Sequence, residues 1–386
     1  MDDLHATLDA LRETDLRQRR TTKWADVDDD VLPAWIAEMD YPLCPVAREA
    51  ARAVIERGEL GYPLTDDYAA AFADWSAREH GRRPDPALVA PVADVMAGLE
   101  AALRALTEPG DGVVLLTPAY PPFLRLLAEL DRPLRACPLR DTDEGWAIDF
   151  DAVDAALAGG ARAVLLCHPH NPTGRVWTPD ELRALAALAD RRGAAVVSDE
   201  VHAPLLADGA GFVPYAATGD LAASHAVTVT SASKAWNIPG LKSAVLLGEE
   251  ATRHVVDGLP PYERRASVPG LAAAAALWRD DGGWLASVRA YLDRTRDRLR
   301  TWVADRPDVR WHPGQAGYLA WLELRATGLG ADPAGILLEK ARVRVNPGTD
   351  FAPPDSAVGR GFVRFNHATS LPLLDEILTR LDRALG

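Results

Sequence analysis

The chain reads as an α/β protein: a mostly parallel sheet covered by helices, with a smaller α+β domain built from the two ends of the chain. Three observations predict this. First, four short apolar runs stand in the middle of the sequence without polar alternation: Val113-Val114-Leu115-Leu116, Ala163-Val164-Leu165-Leu166, Ala194-Ala195-Val196-Val197 and Val227-Thr228-Val229. Strands covered on both faces have this pattern. Second, a helix with readable ends lies between the second and third runs. Thr178 is its N-cap, Pro179 its first residue and Glu181 the partner in a capping box, while Gly193 follows the last turn. This makes a βαβ unit, and helices beginning near Gly98 and after Pro122 extend the alternation, so residues 49–278 are expected to form the large domain. Third, the signals change from Trp284 onward. An Arg-rich helix over about 284–304 precedes strand-like pieces at Tyr318-Leu319-Ala320-Trp321 and Phe362-Val363-Arg364-Phe365, so residues 1–48 and 279–386 are assigned to the smaller domain. The length of 386 residues also exceeds the roughly 250–300 that one core organises.

Composition narrows the function classes. With 48% hydrophobic residues a core is readily built, and a formal net charge of −14 argues against a nucleic-acid surface. Cys44, Cys137 and Cys167 are too few and too scattered for a disulfide framework. The N-terminus lacks the basic-then-apolar order of a signal peptide, and no apolar run is long enough to span a membrane. A cytoplasmic enzyme is therefore expected.

The chemistry gathers at strand ends, where open α/β sheets bind ligands. His168-Pro169-His170-Asn171-Pro172-Thr173-Gly174 follows the second run, Ser198-Asp199-Glu200-Val201-His202 the third, and Ser231-Ala232-Ser233-Lys234 the fourth. Each piece has a plain structural reading as a turn, a helix cap or a strand terminus. Three of them on one edge are harder to explain that way. Lys234 is one of only four lysines in an arginine-rich chain. A desolvated lysine can be a free amine and form a Schiff base, which a guanidinium cannot, although a surface lysine after a polar turn would look the same. Cys167, His168 and His170 lack a second ligand pair at useful spacing, so no metal is expected.

The order of these motifs resembles the fold-type I pyridoxal-phosphate (PLP) enzymes, the aspartate aminotransferase superfamily. Lys23-Trp24, Trp35-Ile36-Ala37-Glu38-Met39-Asp40, His170-Asn171-Pro172-Thr173-Gly174-Arg175-Val176-Trp177, Ser198-Asp199-Glu200-Val201-His202 and Ser233-Lys234-Ala235-Trp236-Asn237 are similar to its MalY/PatB branch of cystathionine β-lyases and related cysteine-conjugate C–S lyases. That branch usually has Asp at the position of Glu38. The resemblance implies a seven-stranded-type sheet in the large domain and PLP held by Lys234, which then acts as the base at the substrate Cα. Asp199 would pair with the pyridinium nitrogen, Asn171 and His202 would face the phenolic oxygen, and Tyr120 would stack on the ring. For the phosphate it implies the Gly98 and Leu99 N–H groups, Ser231, Ser233 and Lys242, with Tyr62 crossing from a neighbouring subunit of a homodimer with shared active sites. Arg364 would clamp the substrate carboxylate, with Trp35 and Tyr62 also in the substrate pocket. The activity implied is α,β-elimination on an L-cysteine S-conjugate. An aminotransferase is the alternative, using the same residues, and a PLP-fold regulatory protein is a third reading. The motif pattern begins almost at once, so a separate DNA-binding domain is not expected.

Overall fold

The structure is a computed structural model and describes residues 2–281 and 283–386. At its centre is a seven-stranded sheet made of β1 (Val89–Val92), β2 (Gly112–Thr117), β3 (Leu134–Pro138), β4 (Ala161–Cys167), β5 (Ala195–Asp199), β6 (Ala226–Thr230) and β7 (Ala244–Gly248). Their spatial order is β1-β7-β6-β5-β4-β2-β3. The five strands β2 to β6 run parallel, and β7 is antiparallel to both of its neighbours. From the adjacent strands β2 and β4 the chain departs to opposite sides, which opens a crevice at their carboxyl ends.

The unbroken apolar runs follow from burial on both faces. Val113, Leu115, Leu165, Val197 and Val229 pack against α1 (Val95–Leu106) and α2 (Pro121–Glu129). Their alternates Val114, Leu116, Val164, Leu166 and Val196 pack against α3 (Phe150–Ala158) and α4 (Pro179–Arg192). Helix α4 has the expected ends: the Glu181 N–H donates to Thr178 Oγ1 at 3.2 Å, the Thr178 N–H donates to Glu181 Oε2 at 2.7 Å, and Gly193 closes the helix at φ 62°.

Helix α1 starts earlier than expected. Val95 is its first residue and Asp94 its N-cap, with Oδ1 accepting the Ala97 N–H at 2.9 Å. Gly98 lies inside the helix, and its lack of a side chain serves packing, because a Cβ there would sit 2.8 Å from Val229 Cγ1.

A second core joins the two ends of the chain. Strands β8 (Leu319–Glu323), β9 (Asn346–Pro347) and β10 (Phe362–Asn366) form an antiparallel sheet in the order β8-β10-β9. Leu322, Val363 and Phe365 pack with residues of α5 (Gly283–Ala304) and α6 (Leu371–Leu385) and with Leu16, Trp24 and Leu32 of the N-terminal segment. Leu32–Pro33 also pairs in parallel with Val343–Arg344. Further along, the backbone of Met39 bonds to Asn237, which follows β6, so the N-terminal segment also reaches the central sheet.

Candidate active site

The strand ends converge on a cavity of about 190 Å³ lined by Tyr120, Asn171, Asp199, His202, Ser233 and Lys234, among others. Tyr120 follows β2, Asn171 follows β4, Asp199 ends β5 and Lys234 lies just beyond β6. Four carboxyl ends of parallel strands thus deliver four side chains to one space.

Burial sets the electrostatics. It pushes the Lys234 ammonium down to about 8, helped by Arg364 and opposed by Asp199 and Glu38. The Lys234 Nζ donates to the Ala37 carbonyl at 2.9 Å. Burial also raises the Asp199 carboxyl to about 7, against the pull of the Val201 N–H at 3.1 Å and of Lys234. A buried carboxylate so poorly supplied with donors is completed by a cation. His202 is driven down to about 3 by burial and then by Lys234 and Arg364, so its ring is neutral at physiological pH.

Arg364, on β10, shows the opposite need. Burial lowers its guanidinium to about 10, and its partners are all neutral: Nη1 donates to Asn171 Oδ1 at 3.2 Å, and Nη2 donates to the Trp35 carbonyl at 3.1 Å and to Asn346 Oδ1 at 2.7 Å. Among the described residues its Nε is buried without a partner. A buried cation with spare donors calls for a carboxylate. Because Arg364 occupies the Asn171 oxygen, the Asn171 Nδ2 remains the donor that Asn171 can offer to the cavity.

The segment Trp35–Asp40 closes the site, and sequence reasoning had given most of its anchors no role. Asn366 Nδ2 donates to the Ile36 carbonyl at 2.7 Å and to the Glu38 carbonyl at 2.8 Å, while Asn237 pairs with the backbone of Met39 at both its N–H and its C=O. Tyr318 adds a hydroxyl donor to the Ala37 carbonyl at 3.0 Å. Lys23 and Asp40 form an ion pair at 3.0 Å with both side chains only 1% exposed, and Trp24 Nε1 donates to Asp40 at 2.6 Å. The contacts from Asn366, Asn237 and Tyr318 span 198 to 330 positions of sequence, so nothing local announces them.

At the other end of the cavity the expected anion donors change. The Gly98 N–H is spent on the Asp94 carbonyl at 3.0 Å, and Leu99 is fully buried; neither lines the cavity. Val95 and Met96 line it instead, as the first two helical residues, whose N–H groups have no helical carbonyl to reach. The Asp94-Val95 cap signal in the sequence marks this start. Ser231 lines the cavity too, but its single proton goes to the Ser243 carbonyl at 2.7 Å and its oxygen accepts the Ser233 N–H at 3.0 Å, so it braces the loop. Ser233 and Lys242 line the same end. The ring of Trp35 lies under the Arg344 guanidinium, 3.8 Å from it, and does not line the cavity; its carbonyl, on Arg364, is what reaches the site. Tyr62 is 93% exposed and touches no part of this chain's cavity. His168 and His170 bind the carbonyls of Val213 and Pro118.

The chain belongs to the aminotransferase class I and II family, which matches residues 35–381. Its fold is that of the fold-type I PLP enzymes. It is 37% identical over 407 residues to a Mycobacterium tuberculosis protein provisionally named a cystathionine β-lyase, with 98% of this chain and 97% of the relative covered. The Bacillus subtilis cystathionine β-lyase PatB is 32% identical, covering 92% and 93% of the two chains. Among solved structures, a Corynebacterium diphtheriae protein provisionally assigned as a PLP-dependent β-cystathionase superposes with a TM-score of 0.91 at 36% identity, covering 97% of this chain and 98% of that one.

Proposed function

We propose that this protein is a PLP-dependent C–S β-lyase, converting cystathionine or another L-cysteine S-conjugate and water to a thiol, pyruvate and ammonia. The observation that carries the reading is the pairing of unmet needs at one site: Lys234, lowered to about 8, and Asp199, raised to about 7, line the cavity, and Arg364, bonded to the lining residue Asn171, is a buried guanidinium without an anion among the described residues. The site residues fit PLP group by group. Asp199 suits a protonated ring nitrogen, the Asn171 Nδ2 suits the phenolic oxygen, and Lys234 suits the aldehyde. The Val95 and Met96 N–H groups, the Ser233 hydroxyl and Lys242 suit the phosphate. Bound PLP supplies an electron sink for the electrons left at the substrate Cα.

The protein's residues do the rest. Arg364 orients the substrate through its carboxylate, using the Nε–H and the remaining Nη1–H. Asp199 holds the proton on the ring nitrogen, because removing it would strand a buried anion. Lys234 takes the Cα proton. An amine near 8 is half available at mildly alkaline pH and close enough to the working pH to serve as a base. Its protonated form rests on the Ala37 carbonyl, from which it can return the proton to the departing thiolate. The Trp35–Asp40 segment shields this exchange from water.

The large domain assigned to residues 49–278 supplies the cofactor contacts, and the smaller one, residues 1–48 and 279–386, supplies Arg364 and the closing segment. The exposed apolar run Leu60, Tyr62 and Leu64, at 61%, 93% and 93%, supports a homodimer in which Tyr62 completes the neighbouring site. Three buried, unpaired cysteines fit a reducing cytoplasm.

The test is stoichiometry. The protein is incubated with cystathionine or S-alkyl cysteines without keto acid, with pyruvate continuously removed. Many turnovers with thiol, pyruvate and ammonia in equal amounts are expected. A reaction that stops at one equivalent per site and resumes only on adding a keto acid would make the protein an aminotransferase.

A further inference from the structure

The phosphate end of the cavity carries one residue that the cofactor reading does not call for. Asp94 lines the cavity beside Val95, Met96 and Lys242. Its Oδ1 accepts the Ala97 N–H at 2.9 Å and its Oδ2 accepts from Lys242 Nζ at 2.7 Å, across 148 positions of sequence. Burial opposes its ionisation, but Lys242 and the N–H groups of Ala97 and Met96 outweigh it and hold the carboxyl below its ordinary range. An ionised carboxylate therefore stands at the positive end of a 12-residue helix, on the same groups that an incoming anion would use. The pair is only partly screened from water, with side-chain exposures of 37% for Asp94 and 58% for Lys242, so a ligand can reach it.

We propose that Asp94 is an internal competitor for the cofactor's phosphate, occupying Lys242 and the helix N-terminus and so setting how strongly the protein prefers PLP to unphosphorylated pyridoxal. The inference rests on the PLP reading above. With Asp94 charged, the Asp94–Lys242 pair contributes no net positive charge. The attraction left comes from the Val95 N–H and the Ser233 hydroxyl, with the Met96 N–H shared with Asp94. A bound phosphate must draw Lys242 away from Asp94 and tolerate a neighbouring anion. Retention of PLP is thereby weakened by a residue of the protein itself.

The test uses the full-length protein, freed of cofactor, titrated with PLP and separately with pyridoxal and followed by absorbance. Asp94→Asn keeps an equally good N-cap and removes only the charge. It is expected to bind PLP about tenfold tighter, the effect of one charge a few ångströms away at a partly exposed site, with pyridoxal affinity unchanged. Asp94→Ser, with a melting curve to confirm folding, should move the same way. Lys242→Gln should weaken PLP and leave pyridoxal alone. An Asp94→Asn protein whose PLP-to-pyridoxal preference equals or falls below that of the native chain overturns the proposal, as does an equal shift for both ligands. Failure of the native chain to bind either aldehyde is a different result, and it removes the PLP reading together with this one.

Discussion

Replacing Lys23 by methionine should destabilise the protein by about 3–5 kcal/mol, the cost of leaving one member of a buried ion pair without its partner. The structure places this pair at the demanding end of that range. Both side chains are 1% exposed, and the Asp40 carboxylate would keep only the Trp24 Nε1–H at 2.6 Å as a side-chain donor. Lys23 Nζ also donates to the Glu38 carbonyl at 3.1 Å, so that acceptor loses a partner as well. Replacing both residues, Lys23→Met with Asp40→Leu, removes the charges together. Buried pairs exchanged for apolar groups of similar volume commonly lose little stability or gain some, so the double variant should be more stable than Lys23→Met, keeping only a loss of about 1–3 kcal/mol from the Trp24 Nε1–H left without its acceptor. Urea unfolding followed by tryptophan fluorescence and by circular dichroism measures the two single variants and the double, and the cycle isolates the coupling. The double variant should still use amino-acid substrate less well, because the Trp35 and Ala37 carbonyls that hold Arg364 and Lys234 belong to the segment the pair anchors. A Lys23→Met protein that loses less than about 1 kcal/mol would refute the reasoning, since the pair would then have access to water.

Four further outcomes are expected. Borohydride treatment of the protein with PLP should fix a pyridoxyl group on Lys234 alone by peptide mass spectrometry, and Lys234→Ala should abolish both the label and turnover. The rate of PLP uptake by cofactor-free protein should rise with pH through a midpoint near 8, because burial lowers Lys234 and the neutral amine is the reactive form; Arg364→Ala removes a second lowering influence and should move the midpoint upward. Asp199→Asn should bind PLP but turn over about 10²–10⁴-fold more slowly, the scale of a lost proton-holding group. Gly98→Ala should cost about 1–3 kcal/mol by overpacking, read as a lowered melting midpoint, because its new methyl would stand 2.8 Å from Val229 Cγ1.

Much of this was legible in the sequence because its causes are local. A strand buried on both faces must be apolar throughout, and β2, β4, β5 and β6 were readable for that reason. The ends of α4 were readable because a capping box and a left-handed glycine act within one turn. Lys234, Asp199 and Asn171 fell together because residues that follow parallel strands arrive at one edge of the sheet. Strand direction is different. Ala244-Val245-Leu246-Leu247-Gly248 is as apolar as its neighbours, yet it runs antiparallel to both, and an apolar run carries no sign of polarity.

What the tertiary structure alone decided are the partnerships between distant groups. Whether the Ser231 hydroxyl faces a ligand or the Ser243 carbonyl depends on how the loop closes. The helix start at Asp94 was open to a local reading, but its bond to Lys242 was not. The Lys23–Asp40 pair is near in sequence, but its burial comes from the packing of the N-terminal segment between the two sheets, where Asn237 and Asn366 hold it from either side. A side chain's type limits which bonds it can make, whereas the closure of hundreds of residues of chain decides which partner comes within 3 Å of it and whether water is there to compete.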